Sequence, residues 1–159
     1  MKSTAYRLAG RLPSPIKRLF VRFADATFLV GVLGIVLDDE GRVHLFHHTY
    51  RPFAPWGVPS GVLKPNESPA QAIEREVREE TGLSIGVVEV LELRTGVRPQ
   101  RLDVWLRCRS RGGSVRPSAE VDEVRFFEFD ELPVLIAEQR QFLEAHRSRL
   151  ASTRRLPPN

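Results

Sequence analysis

The order of elements along this chain predicts an α/β protein in which a mixed sheet lies between helices. Three observations predict it. Runs rich in Val, Leu, Ile and Phe lie on both sides of an internal helical segment; that segment opens at Ser68-Pro69 and closes at Gly82; and a second apolar-periodic segment follows the last strand-like run.

Taken in order, Ser14-Pro15 reads as a helix start with Pro at the first helical position, and Ile16, Leu19, Phe20 and Phe23 then share one face. Thr27 to Leu37 reads as a buried strand, Asp38-Asp39-Glu40-Gly41 as a hairpin turn, and Val43 to His48 as the returning strand. Pro52 to Gly61 alternates prolines and glycines around Trp56 and reads as a loop leading into a short strand. Ile85 to Leu93 and Arg101 to Cys108 form two further strands joined by a Gly/Pro/Arg turn, with a loop at Arg111-Gly112-Gly113 and Pro117. Val124 to Phe129 is the last strand. Leu132-Pro133 leads into a helix whose apolar positions are Ile136, Phe142, Leu143 and Leu150. With neither a repeat nor a linker in sight, residues 1–159 are expected to form one domain, with a basic extension at 1–24 and a frayed tail at 151–159.

Composition narrows the class. Of the 159 residues 42% are apolar and 28% charged, the profile of a globular chain. The longest apolar run, Phe28 to Leu37, falls well short of the roughly 18–20 residues that span a bilayer, and the N-terminal basic residues are followed by no signal-like apolar region. Cytoplasm is the default expectation. Cys108 is the single cysteine, so no intrachain disulfide can form, and its place in a strand suits a small buried hydrophobe. The net charge is +4 and the isoelectric point about 9.8. The first 23 residues hold six Lys/Arg and no acid, while most acids lie in the middle of the chain. A basic shell around an acidic centre suits a small phosphorylated ligand held through metal. No zinc-finger, RNP or helix-turn-helix spacing points to nucleic acid, and no feature points to a membrane.

The most informative segment runs from Gly61 to Leu83. Glu76, Glu79 and Glu80 stand at i, i+3 and i+4, so a helix places their carboxylates on one face, with Arg75 one turn before Glu79. Three like charges on one face repel, and acids near a helix C-terminus oppose its dipole. A divalent cation removes both penalties, and Mg²⁺ takes carboxylate oxygens while leaving positions for substrate phosphates. A Glu-x-x-Glu-Glu helix is most often a solvated charged face. Here the surroundings reverse that reading: Gly61 sits where the backbone must turn or approach something closely, Glu67 stands just ahead of the helix, and Gly82 closes it.

Gly61, Glu67, Arg75, Glu76, Val77, Glu79, Glu80, Gly82 and Leu83 meet every specified position of the Nudix box, G-x5-E-x7-R-E-U-x-E-E-x-G-U, and the chain is identified by it as resembling the Nudix hydrolases. Upstream, Trp56-Gly57-Val58-Pro59-Ser60-Gly61 is similar to the family's W-x-x-P-G-G, with Ser60 in place of a glycine. The resemblance implies a Nudix-type α/β/α sandwich with a mixed central sheet. It implies an Mg²⁺-dependent hydrolase, with Mn²⁺ as a substitute, that cleaves the pyrophosphate linkage of a nucleoside diphosphate derivative such as ADP-ribose, a nucleotide sugar or a nucleoside triphosphate. It implies Glu76, Glu79 and Glu80 as metal ligands with the Gly61 carbonyl, Arg75 as the group that orients them, Glu76 as an aid in activating water, and Glu67 and Gly82 as the frame. A further loop carboxylate is expected at Glu120, with Glu123 beside it. Tyr50, Arg51, Phe53, Trp56 and Pro99 are candidate substrate contacts, whereas His47 and His48 read as strand residues because no third zinc partner is spaced for them. Homodimers are common among the proteins it resembles. The rival reading is a catalytically weak Nudix-fold module that senses a nucleotide or contacts a polyanion.

Overall fold

The structure is a computed structural model that describes residues 28–95 and 100–151. The N-terminal helix expected from Ser14, the tail beyond residue 151 and Pro99 lie outside the described residues. Seven strands and two helices follow in the order β1 (Leu29–Leu37), β2 (Val43–His48), β3 (Trp56–Gly57), β4 (Ser60–Val62), α1 (Pro69–Thr81), β5 (Leu83–Thr95), β6 (Arg101–Gly113), β7 (Val121–Phe127) and α2 (Ala137–Ala151).

One mixed sheet carries all seven strands, with the path β3-β2-β1-β6-β5. Among the described residues only β1 and β6 run parallel, paired from Leu29↔Arg101 to Leu37↔Arg109. The other edge of β1 is forked. Its first half pairs with β4, Val32 opposite Gly61, and its tip pairs with β2, Val36 opposite His44. The fork delivers Gly61 to the middle of the sheet, under the helix that follows it in sequence. Beyond the fork β2 pairs antiparallel with both β3 and β7.

Side chains alternate across a strand, so each strand feeds two cores. Val32 and Val36 of β1 and Val104, Leu106 and Cys108 of β6 face Ala72, Ile73 and Val77 of α1. Leu33, Ile35 and Leu37 of β1 and Trp105 of β6 face Phe142, Leu143 and Leu150 of α2. A helix therefore covers each face, as the element order predicts. Cys108 is buried in the α1-side core, and burial pushes its thiol up to about 12.

Several boundaries differ from expectation, among them a longer β5 (Leu83–Thr95) and a β7 that ends at Phe127. Strand β6 continues through Arg111-Gly112-Gly113, where Gly112 and Gly113 adopt positive φ and pair with Ser84 and Leu83. Strand β7 begins at Val121, three residues early, because it pairs along β2 as far as His48. Ile136 precedes α2 and is exposed, so only Phe142, Leu143 and Leu150 of the four anticipated positions enter the core.

Candidate active site

Helix α1 is fixed at both ends by its own sequence. Ser68 Oγ accepts from the Gln71 N–H (3.2 Å) and Gln71 Oε1 accepts from the Ser68 N–H (2.8 Å), a complete capping box with Pro69 behind it. At the other end Gly82 adopts φ 73° and its N–H donates to the Arg78 carbonyl at 2.9 Å. Ala72, Ile73, Val77 and Thr81 bury one side. That burial leaves Arg75, Glu76, Glu79 and Glu80 along the outer side.

Arg75 is the hub. Its Nε and Nη2 donate to Glu67 Oε1 and Oε2 at 2.8 and 3.1 Å, the forked geometry in which a guanidinium matches a carboxylate. Its Nη1 lies 2.8 Å from Glu76 Oε1 and 3.2 Å from Glu79 Oε2, and Nη2 also donates to the Val62 carbonyl. One guanidinium thus gathers three carboxylates and ties the helix to the end of β4. The Arg75 pair holds the Glu67 carboxyl well below its usual range, at about 2, and the carboxylates raise Arg75 in turn. Glu67 is placed by a turn in which Asn66 takes φ 64° and the Lys64 N–H donates to Glu67 Oε2.

Gly61 lies against Glu76. A Cβ built at Gly61 would sit 2.2–2.4 Å from Glu76 Cγ, Cδ and Oε1, so only glycine lets that carboxylate rest on the β4 backbone. Glu80 is half-buried, and its Oε2 is shielded from solvent with no hydrogen-bond partner. Burial raises the Glu80 carboxyl to about 7, and the charges of Glu76, Glu120 and Glu79 push the same way while Arg51 opposes them. Glu120 on the loop before β7 therefore lies within electrostatic range of the helix acids. Glu123 instead pairs with Arg125 on the exposed side of β7.

The remaining candidates divide. The Arg51 guanidinium reaches Glu80 electrostatically and has Nη1 buried without a partner. It also lines a cavity of about 290 Å³ with Ser60, Arg101, Asp103 and Gln139. Tyr50 stays beside Arg51, its ring 5.4 Å from the guanidinium. Phe53 is 92% exposed and joins none of these contacts. Trp56 packs edge-on against His47 and Phe127 in the wall of the α2-side core. His48 is fully buried in β2, and His47 Nδ1 meets Asp122 Oδ1 at 2.6 Å. Sequence reasoning missed Gln139, whose Oε1 accepts from the Val58 N–H at 3.1 Å and so ties α2 to the loop ahead of β4. A glutamine on a helix carries no local signal for such a contact.

The donor set suits a hard divalent cation: carboxylates crowd one face, one buried carboxylate oxygen has no donor, and a glycine backbone is held open beside another carboxylate. As the side chains stand among the described residues, no three His, Cys, Asp or Glu groups close on a single point, since Arg75 draws Glu76 and Glu79 toward itself.

Comparison with known proteins agrees with this geometry. The family model described as NUDIX domain matches residues 27–146. A "MutT-like protein" of Streptomyces ambofaciens is 31% identical over 109 residues, covering 69% of this chain and 70% of that protein. The "NAD-capped RNA hydrolase NudC" of Stutzerimonas stutzeri (strain A1501) is 33% identical over 108 residues, covering 66% of this chain; the match spans only 39% of that longer relative. The solved structure of an ADP-ribose pyrophosphatase from Streptococcus suis 89-1591 superposes with a TM-score of 0.62 at 26% identity, covering 76% of this chain and 93% of that one.

Proposed function

The chain belongs to the Nudix hydrolase family, and from that premise we propose that it hydrolyses the pyrophosphate linkage of a nucleoside diphosphate derivative. The observation that carries the reading is the charge arrangement on α1. Arg75 gathers Glu67, Glu76 and Glu79, while Glu80 keeps a buried, unpartnered oxygen and feels the charges of Glu76 and Glu120. A solvated charged face has no reason to bury one of its acids without a partner.

Glu76, Glu79 and Glu80 would hold Mg²⁺ or Mn²⁺, with the Gly61 carbonyl beside Glu76. Bound there, such an ion neutralises charge on the diphosphate oxygens and lowers the pKa of water. The chain's own groups do the rest. Arg75 orients the carboxylates, and Glu67 locks Arg75 to the turn before the helix. Glu76, or Glu120 from its loop, accepts the proton of the attacking water. The water oxygen bonds to one phosphorus as the bridging P–O bond breaks, and the other phosphate departs with the electron pair. Arg51, which acts electrostatically on Glu80 and has an unpartnered Nη1, would hold a phosphate oxygen. Residues 1–159 would act as one domain. No helix among the described residues is long and apolar enough to cross a membrane.

Relatives named for ADP-ribose and NAD-capped RNA lend the linkage its plausibility, because both names imply a nucleoside diphosphate joined to a second group. A nucleotide panel assayed with Mg²⁺ tests the proposal. Phosphate that appears only after added phosphatase indicates cleavage inside a diphosphate that joins two groups. Direct release of phosphate or pyrophosphate indicates a nucleoside polyphosphate. Failure to turn over any member of the panel rejects hydrolysis in favour of a binding module.

A further inference from the structure

Most arginines among the described residues are matched to acids, as Arg75, Arg94, Arg101, Arg107 and Arg147 illustrate. Two that are not stand together at the C-terminal end of α1. Arg78 and Arg116 line a cavity of about 450 Å³ with Glu79, Gly82, Ser114, Pro117 and Ser118. Among the described residues neither guanidinium has an acidic partner.

The cavity is built rather than incidental. The Arg116 N–H donates to the Thr81 carbonyl at 2.8 Å, which pins the loop after β6 to the last turn of α1. The Arg116 stem passes over Gly82, whose missing Cβ would lie 3.4–3.5 Å from Arg116 Cγ and Cβ and 3.0 Å from the Ser114 carbonyl. Ser118 Oγ accepts from the N–H groups of Glu120 and Val121, so the same loop that lines the cavity fixes the position of Glu120. The cavity and the acid face therefore meet at Glu79 on one side and at Ser118–Glu120 on the other. Two cations with no acidic partner among the described residues border a site in which Arg75 is already committed to Glu67, Glu76 and Glu79. A helix C-terminus gains from nearby cations. That alone asks for neither two arginines around an open volume nor a loop tethered to hold one of them.

We propose that Arg78 and Arg116 seat a phosphate of the substrate that lies beyond the cleaved linkage. This rests on the hydrolase reading above and sharpens it. The preferred substrate carries an additional phosphate next to the scissile diphosphate, as a nucleoside 5′-triphosphate or the 5′ end of a triphosphorylated oligoribonucleotide does. ADP-ribose, which ends in a neutral sugar, leaves the cavity unfilled. Guanidinium forks match phosphate oxygens, and an exposed pair discriminates by charge more than by shape.

The test compares the wild type with Arg78→Ala/Arg116→Ala and with Arg78→Lys/Arg116→Lys, all with Mg²⁺ at one fixed free concentration. Binding of inorganic tripolyphosphate, measured by calorimetry, needs no turnover. It is expected to weaken tenfold or more in the alanine pair and to be partly kept in the lysine pair. In kinetics, the ratio of kcat/KM for the phosphate-extended substrate to kcat/KM for ADP-ribose falls at least tenfold in the alanine pair, through KM. If the ratio falls for the nucleoside triphosphate, that small molecule is the source; if it falls only for the triphosphorylated oligoribonucleotide, the source is an RNA end. Tripolyphosphate that fails to bind the wild type, or binds all three proteins alike, overturns the assignment. So does an unchanged ratio with a lowered melting temperature, which is what a purely structural role for the two arginines gives. Arginine-dependent tripolyphosphate binding with no turnover of any substrate keeps the phosphate seat and rejects hydrolysis instead.

Discussion

The two helices lie on opposite faces of one sheet and are stabilised by different physics. Helix α2 is held by aromatic burial: Phe142 stacks on Trp105 at 3.8 Å and on His146 at 4.0 Å, and Arg94 lies over the Phe142 ring. Its ion pairs, Arg147 with Asp130 and Arg149 with Glu89, sit at the rim. Helix α1 buries smaller residues, Ala72, Ile73 and Val77, and concentrates charge on its outer side. The α2 face is arranged for stability, whereas the α1 face keeps a half-buried acid that stability alone would remove. The difference implies that substitutions on the two faces separate activity from stability.

The largest effect is expected at the acids. Glu79→Gln or Glu80→Gln should lower kcat by about a thousandfold or more, roughly 4 kcal/mol of transition-state stabilisation. Glu80→Gln should melt at or above the wild-type temperature, because it removes a charge that burial disfavours. Steady-state kinetics and calorimetry on the same preparations check both. Phe142→Ala is the converse: a loss of about 3–5 kcal/mol of stability from the emptied stack, read by denaturant unfolding, with kcat per folded molecule nearly kept. Arg75→Ala comes next. It frees Glu67, Glu76 and Glu79 at once, so kcat should fall by roughly ten- to a hundredfold, with only partial recovery in Arg75→Lys because an ammonium lacks the fork.

A smaller effect belongs to pH. Burial pushes His44 and His48 down to about 4, so both are neutral in the fold while the unfolded chain protonates them near 6.5. Between those values the unfolded state binds more protons, and stability falls as pH is lowered from 6.5 toward 4. His44→Gln should flatten that slope in melting curves taken across the window; an unchanged slope would place the protons elsewhere. Smallest is Ser68→Ala, about 1 kcal/mol from the lost cap.

Much of α1 was legible because its signals are local. Ser68-Pro69 and Gly82 each act within one or two turns, and Arg75, Glu76, Glu79 and Glu80 stand at fixed offsets on the same helix; the bond between Ser68 and Gln71 emerged only from the structure. What could not be read depends on which strands become neighbours. The fork of β1 puts Gly61 under Glu76, and no local pattern announces it. Arg51 acts on Glu80 only through the tertiary fold, since the two lie 29 positions apart in the sequence. Trp105 and Phe142 are far apart in the chain and meet only because α2 packs on that face of the sheet. Glu120 and Glu123 are close in sequence but differ in the fold: Glu123 is in β7 and pairs with Arg125, while Glu120 stays in the loop before it.

The central claim is that the acids of α1 form a metal-dependent catalytic face. Titrating Mg²⁺ against both turnover and melting temperature, in the wild type and in Glu79→Gln/Glu80→Gln, tests it most directly, since a ligand that binds the folded state raises its stability. The account predicts that wild-type turnover requires Mg²⁺ and that its melting temperature rises with the ion, while the double variant loses both responses. An Mg²⁺-dependent rise and turnover of equal size in the double variant would contradict it.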